Sequence, residues 1–149
     1  FNCGVEMQVK QISIFMENRP GRMEEITGIL EKASINIRAL SLADTSDFGI
    51  LRLIVDKPED AAKILHDEGF TLRENVVIAC EIDDKPGGLH KILKLIGDSN
   101  LSIEYMYGFL ERYSDKAIMI LRVEDTDKAI TALVNGGITL IKGEQIYAI

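Results

Sequence analysis

The chain has 149 residues, 46% hydrophobic and 28% charged, with a formal charge of −7. This is the composition of a soluble globular protein with a real core, and its acidity, without any Lys/Arg cluster, argues against a nucleic-acid partner. No apolar run reaches the ~18–20 residues of a membrane-crossing helix, and no signal-peptide pattern opens the sequence.

Phe1 to Glu6 match nothing later in the chain, so Met7 is a candidate natural start. Residues 9–16 alternate, with Ile12, Ile14 and Met16 on one face, and predict a strand. Asn18-Arg19-Pro20-Gly21 makes a turn. Met23, Ile26, Leu30 and Ala33 then recur at helical spacing, and Asn36 is expected to end that helix. Residues 37–43 and 50–55 read as strands joined by the polar loop Asp44-Thr45-Ser46-Asp47-Phe48-Gly49. Pro58-Glu59-Asp60 opens a second helix with Ala61, Ala62, Ile64 and Leu65 inward, and Gly69 stops it.

The same order then returns. Residues 76–82 form a strand, and Leu89, Ile92, Leu93 and Ile96 a helix stripe. Residues 103–110 and 117–123 are a strand pair. Asp125-Thr126-Asp127 caps a helix that carries Ala129, Ile130 and Leu133 and ends at Gly136-Gly137. Pro20-Gly21 recurs as Pro86-Gly87, 66 residues on, and Gly49-Ile50-Leu51 as Ala117-Ile118-Met119, 68 residues on, which marks an internal duplication. The expected domains are 7–75 and 76–149. At their junction either a short strand at Thr71-Leu72-Arg73 turns at Glu74-Asn75, or residues 71–82 form one long strand. Rigid coupling of the two is expected in both cases. Ile146-Tyr147-Ala148 is expected to repeat the strand residues Ile78-Ala79-Cys80. Cys3 and Cys80 lie in no Cys-x-x-Cys pair, which fits a reduced cytoplasmic protein with Cys80 buried in a strand. The fold class is α+β: two tandem ferredoxin-like βαββαβ units with helices packed on antiparallel sheets. That fold hosts many activities, so function has to come from a site.

Asn18-x-Pro20-Gly21, the stretch Ala33-Ser34-Ile35-Asn36-Ile37 and the hairpin at 44–48 resemble an ACT domain. Asp84-x-Pro86-Gly87 with Ser99-Asn100-Leu101-Ser102-Ile103 resembles a second. The resemblance covers residues 8–149. It implies a tandem ACT protein that binds a small molecule, most often an amino acid, and passes occupancy on to an enzyme or an oligomer. It also implies ligand at an interface beside the first β–α turn, with Asn18 and Asn36 holding its polar groups. The second copy departs from this, with Asp84 and Ser102 at those places. Met16 stands where some serine-binding members have His, which speaks against serine.

An α-amino acid is a zwitterion and needs donors at one end and acceptors at the other. The N–H groups of Gly21, Arg22 and Met23, at a helix start, can donate to its carboxylate. The Asn18 and Asn36 amides suit either end, although a turn Asn and a helix C-cap explain them equally from the residues alone. The expected first site is Asn18, Pro20, Gly21, Arg22, Met23 and Asn36. Asp84, Gly87, Gly88, Leu89 and Ser102 form either a second, altered pocket or a structural copy, since Asp84 repels a carboxylate unless it faces the ammonium. Asp44, Thr45 and Asp47 are further polar candidates, or a solvated loop. Tyr105, Tyr107 and Phe109 share a strand face and gather with Tyr113 as sheet packing or a dimer contact.

His66 and His90 fall on helices without metal-ligand spacing, and no phosphate loop or nucleophile motif is present. Glu24-Glu25 and Asp83-Asp84 read as solvated acids. The expectation is a non-catalytic amino-acid sensor, a homodimer or other homo-oligomer without cofactor or metal. The alternative is a regulatory or assembly subunit that binds an amino-acid-metabolism enzyme without sensing a ligand itself. A ferredoxin-like RNA-binding module conflicts with the acidity and with the lack of an aromatic/basic RNA-binding pattern.

Overall fold

The computed structural model describes residues 3–44, 47–110 and 116–148. Its elements are α1 (Cys3–Glu6), β1 (Gln8–Glu17), α2 (Arg22–Lys32), β2 (Ile37–Asp44), β3 (Phe48–Val55), α3 (Pro58–Asp67) and β4 (Thr71–Asp83). There follow α4 (Gly88–Asp98), β5 (Ile103–Gly108), β6 (Lys116–Val123), α5 (Thr126–Asn135), β7 (Leu140–Ile141) and α6 (Gly143–Ala148). The chain divides into two compact units, Lys10–Asn75 with Tyr147–Ile149, and Val76–Ile146 with Phe1–Val9.

In the first unit β3 lies between β1 and β2, antiparallel to both, in a register that sets Ile12 against Leu53 and Ile14 against Leu51. Alternation puts Ile12, Ile14, Met16, Leu51, Leu53 and Val55 on one face. Ile26 and Leu30 of α2, Ala61 and Leu65 of α3, and Phe70 close over them as one buried cluster. The second unit repeats the plan. β6 lies between β4 and β5, again antiparallel, and Ile78, Cys80, Leu121 and Val123 are covered by Ile92 and Ile96 of α4 and Ala129, Ile130 and Leu133 of α5. β7 adds a short antiparallel pairing to β4. Even the irregularity is duplicated, with register shifts at Ile37/Ala39 and at Ile103/Tyr105. The result is a ferredoxin-like α+β arrangement in tandem.

Of the two junctions open to the sequence, the long strand is the one formed: β4 runs unbroken from Thr71 to Asp83. Two other expectations are corrected. Asn36 does not end the first helix. The α2 cap falls at Ala33, Ser34 takes a left-handed φ of +56°, and the Ile35 N–H donates back to the Leu30 carbonyl at 2.9 Å. This is a Schellman ending, in which a left-handed residue lets two terminal carbonyls be satisfied. Nor is Ile146-Tyr147-Ala148 a strand; it lies in α6. The Gln145 side-chain oxygen accepts the Lys142 N–H at 3.0 Å, half of a capping box, and that local bond starts a helix where apolar alternation suggested a strand. The N-terminal residues also have a place, since α1 packs on α5 and Met7 joins the second unit's core. Thr45, Tyr113 and the Asp44 side chain lie outside the described structure.

Candidate functional site

In both units the strand enters its helix through the same turn. The Arg22 N–H donates to the Arg19 carbonyl at 3.4 Å, with Pro20 second and Gly21 third at φ +87°. In the other copy the Gly88 N–H donates to the Lys85 carbonyl at 3.1 Å, and Gly87 has φ +91°. Proline presets the second position and glycine tolerates the left-handed third, which makes each a type II turn. One of the three N–H groups expected to face a ligand, that of Arg22, therefore closes the turn.

The Asn18 N–H donates to the Asp47 carbonyl at 3.1 Å and ties the turn to the β2–β3 hairpin. The Asn36 N–H donates to the Asp56 carboxylate at 2.9 Å, and its carbonyl accepts the Asp56 N–H at 3.1 Å. Both asparagines are exposed. Pro20 and Gly21 are exposed, and Met23 packs against the first unit's core.

Beside this turn is a cavity of about 260 Å³, walled by Phe15, Met16 and Glu17 of β1, Arg22 of α2, Phe48 of β3 and residues 69–71. Of the predicted set, Arg22 alone is in that wall. Its guanidinium lies 4.7 Å from the centre of the Phe70 ring, and one terminal nitrogen donates to Glu25 at 2.9 Å. Its Nε is buried without a hydrogen-bond partner. An unmet buried donor costs about 1–3 kcal/mol. Glu17 supplies a carboxylate, 3.5 Å from the Arg19 side chain. Phe15 and Phe48 form an exposed rim. The wall thus holds one cation, one anion and four apolar side chains.

The second unit has a cavity at the equivalent place, of about 100 Å³. Every wall position of the first has its repeat partner here, and the chemistry has changed. Glu81 stands for Phe15, Asp83 for Glu17, Gly88 for Arg22, Lys116 for Phe48 and Ile138 for Phe70, with Lys91 and Ile92 added. Lys116 donates to Asp83 and holds its carboxyl below the usual carboxylate range. Asp83 keeps 43% of its side chain exposed, so the solvated acid expected there is one that is also ion-paired. A side chain at Gly88 would place its Cβ on the Asp83 carbonyl oxygen. Of the other second-site candidates, Asp84, Gly87 and Ser102 are exposed and Leu89 is half-buried.

The sequence reading missed Phe15, Glu17, Phe48 and Phe70. They come from three separate stretches that only the sheet register joins; the signal that could have found them is the strand-end positions compared copy against copy. A wider depression of about 580 Å³ lies at the start of α5, among Glu124, Asp125 and Asp127. Asp125 is engaged there as the helix N-cap, accepting the Lys128 N–H at 3.0 Å. Tyr105 and Tyr107 stack with ring centres 6.4 Å apart on β5. Cys80 is a fully buried strand residue, and burial pushes its thiol up to about 12. Among the described residues no group of three or more His, Cys, Asp or Glu is placed to hold a metal, and no helix is long and apolar enough to cross a membrane.

Comparison with known proteins agrees with this duplicated plan. The family described as the ACT domain pair matches residues 7–149. Protein BT0572 from Bacteroides thetaiotaomicron is 36% identical, with a TM-score of 0.90, over 96% of this chain and 98% of that one. The regulatory subunit of aspartate kinase from Thermus thermophilus, in a ligand-free form, shares the fold at 14% identity and a TM-score of 0.62, over 89% of this chain and 95% of its own. Aspartate kinase from Clostridium acetobutylicum does so at 17% identity and a TM-score of 0.55, over 87% of this chain and 33% of its own. No curated protein matches.

Proposed function

The chain belongs to the ACT domain pair family, and on that footing we propose that it is a non-catalytic regulatory protein that senses an amino acid and works as a homo-oligomer. The observation that carries this reading is the first unit's cavity, where a guanidinium with a buried, unmet Nε and a carboxylate share one wall. These are the two charges a zwitterion needs opposite its own. The first turn with Asn18, Pro20, Gly21, Arg22 and Met23 is the ligand-binding face in this proposal; Asn36, bonded to Asp56 at the opposite end of β2 and β3, completes the site from a second copy of the chain. The relation to regulatory subunits of aspartate kinase is one of fold, and it suits a subunit that reports occupancy. Ligand bound to the folded, assembled form stabilises it by mass action, which is how occupancy becomes a signal without chemistry.

The test is a thermal-stability screen of the whole chain against the common amino acids, beside Asn18→Ala and Asn36→Ala. A ligand at a hundred times its Kd adds about 2.7 kcal/mol, or roughly 5–10 °C in a chain of this size. At least one amino acid is expected to give such a shift in the wild type and a smaller one in each variant. Sedimentation should show a dimer or higher oligomer strengthened by that amino acid, which is recovered chemically unchanged. A folded protein silent across the panel rejects the sensor and leaves the partner-enzyme subunit as the reading to pursue.

A further inference from the structure

The two repeat-related cavities are a comparison the molecule makes with itself. Strand ends, turn, helix start and the residues before the last strand of each unit hold corresponding positions, so the backbone plan is shared and the side chains differ. The first wall has Phe15, Met16, Phe48 and Phe70 around one guanidinium and one carboxylate. The second exchanges an aromatic for Glu81, another for Lys116 and the guanidinium for the bare Gly88, and Lys116 there is ion-paired with Asp83.

We infer that the chain holds one amino-acid site, in the first unit, and that this site selects a large apolar or aromatic side chain. This rests on the sensor reading above. The α-carboxylate meets the Arg22 guanidinium of the cavity wall, and the ammonium meets Glu17. The side chain lies among Phe15, Met16, Phe48 and Phe70, where an apolar group is transferred out of water. A volume of about 260 Å³ lies just below the ~300–1,000 Å³ range of ordinary ligand sites and so suits a single small metabolite. A polar or acidic side chain loses its hydration there and finds ring carbons in return. The second cavity, of about 100 Å³ and without a guanidinium, has neither the room nor that donor.

Isothermal titration of the whole chain tests this, with L-phenylalanine and L-leucine against L-serine and L-aspartate, and with 3-phenylpropionate and 2-phenylethylamine as ligands lacking one charge each. The expected result is one apolar amino acid bound per chain, with both single-charge analogues at least about tenfold weaker, the loss of one charge-assisted contact. Arg22→Gln should weaken binding by about tenfold. Phe48→Ala, a change at an exposed rim that leaves the core intact, should weaken phenylalanine about fivefold or more. Lys116→Ala in the second cavity should leave the affinity within about twofold. Preference for serine or aspartate, or two sites per chain with one lost in Lys116→Ala, overturns this inference and leaves the sensor standing. No binding by any amino acid removes both.

Discussion

Single residues in this protein carry meanings that composition hides, and glycine shows it best. Gly97 and Gly88 both lie in α4, and helix propensity alone says that alanine at either adds about 1 kcal/mol. Nothing lies within 4 Å of where a Gly97 Cβ would be, whereas the Asp83 carbonyl blocks one at Gly88. Chemical denaturation should therefore show Gly97→Ala stabilised by about that amount and Gly88→Ala destabilised by roughly 1–3 kcal/mol, the usual range for forced overpacking. Cys80 makes a second test at this scale. Its thiol titrates near 9.0 when unfolded and is pushed to about 12 by burial in the fold. The folded state keeps a proton the unfolded state releases, so the contribution is intact below pH 9 and is lost as pH rises from there toward 12. The melting temperature should fall more steeply above pH 9 in the wild type than in Cys80→Ala. That Cys80 is buried in a strand was legible from its apolar neighbours. The Gly88 restraint was not, because it depends on where one carbonyl lies in three dimensions.

At the scale of elements, periodicity located the main strands and helices, and errors gathered where a short local hydrogen bond decides. α6 is the clear instance, where one glutamine side chain outweighs an alternating apolar pattern. Helix endings are another. All four long helices finish on a left-handed residue: Ser34, Gly69, Asn100 and Gly137. Asn100 and the two glycines suit that conformation, while serine is strained there by about 1–2 kcal/mol. The Ser34 side chain is exposed. Ser34→Gly should therefore raise the unfolding free energy by roughly 0.5–1 kcal/mol once glycine's greater freedom in the unfolded chain is subtracted. A shift of the urea midpoint with unchanged slope is the measurement, and no shift would mean that the ending carries no strain.

For the whole molecule, duplication was the strongest signal in the sequence, and it gave the tandem ferredoxin-like plan almost without structural help. The site was less legible. The turn was found, yet the wall beside it draws on Phe15, Phe48 and Phe70, which are far apart in the chain and meet only when the sheet sets its register. The two cavities differ in more than their side chains. Because the Asp83 carbonyl occupies the space a side chain at position 88 needs, an arginine placed there disrupts the turn before it supplies a cation. The asymmetry between the two halves is thus fixed in the backbone, and a single exchange of side chains cannot convert one cavity into the other.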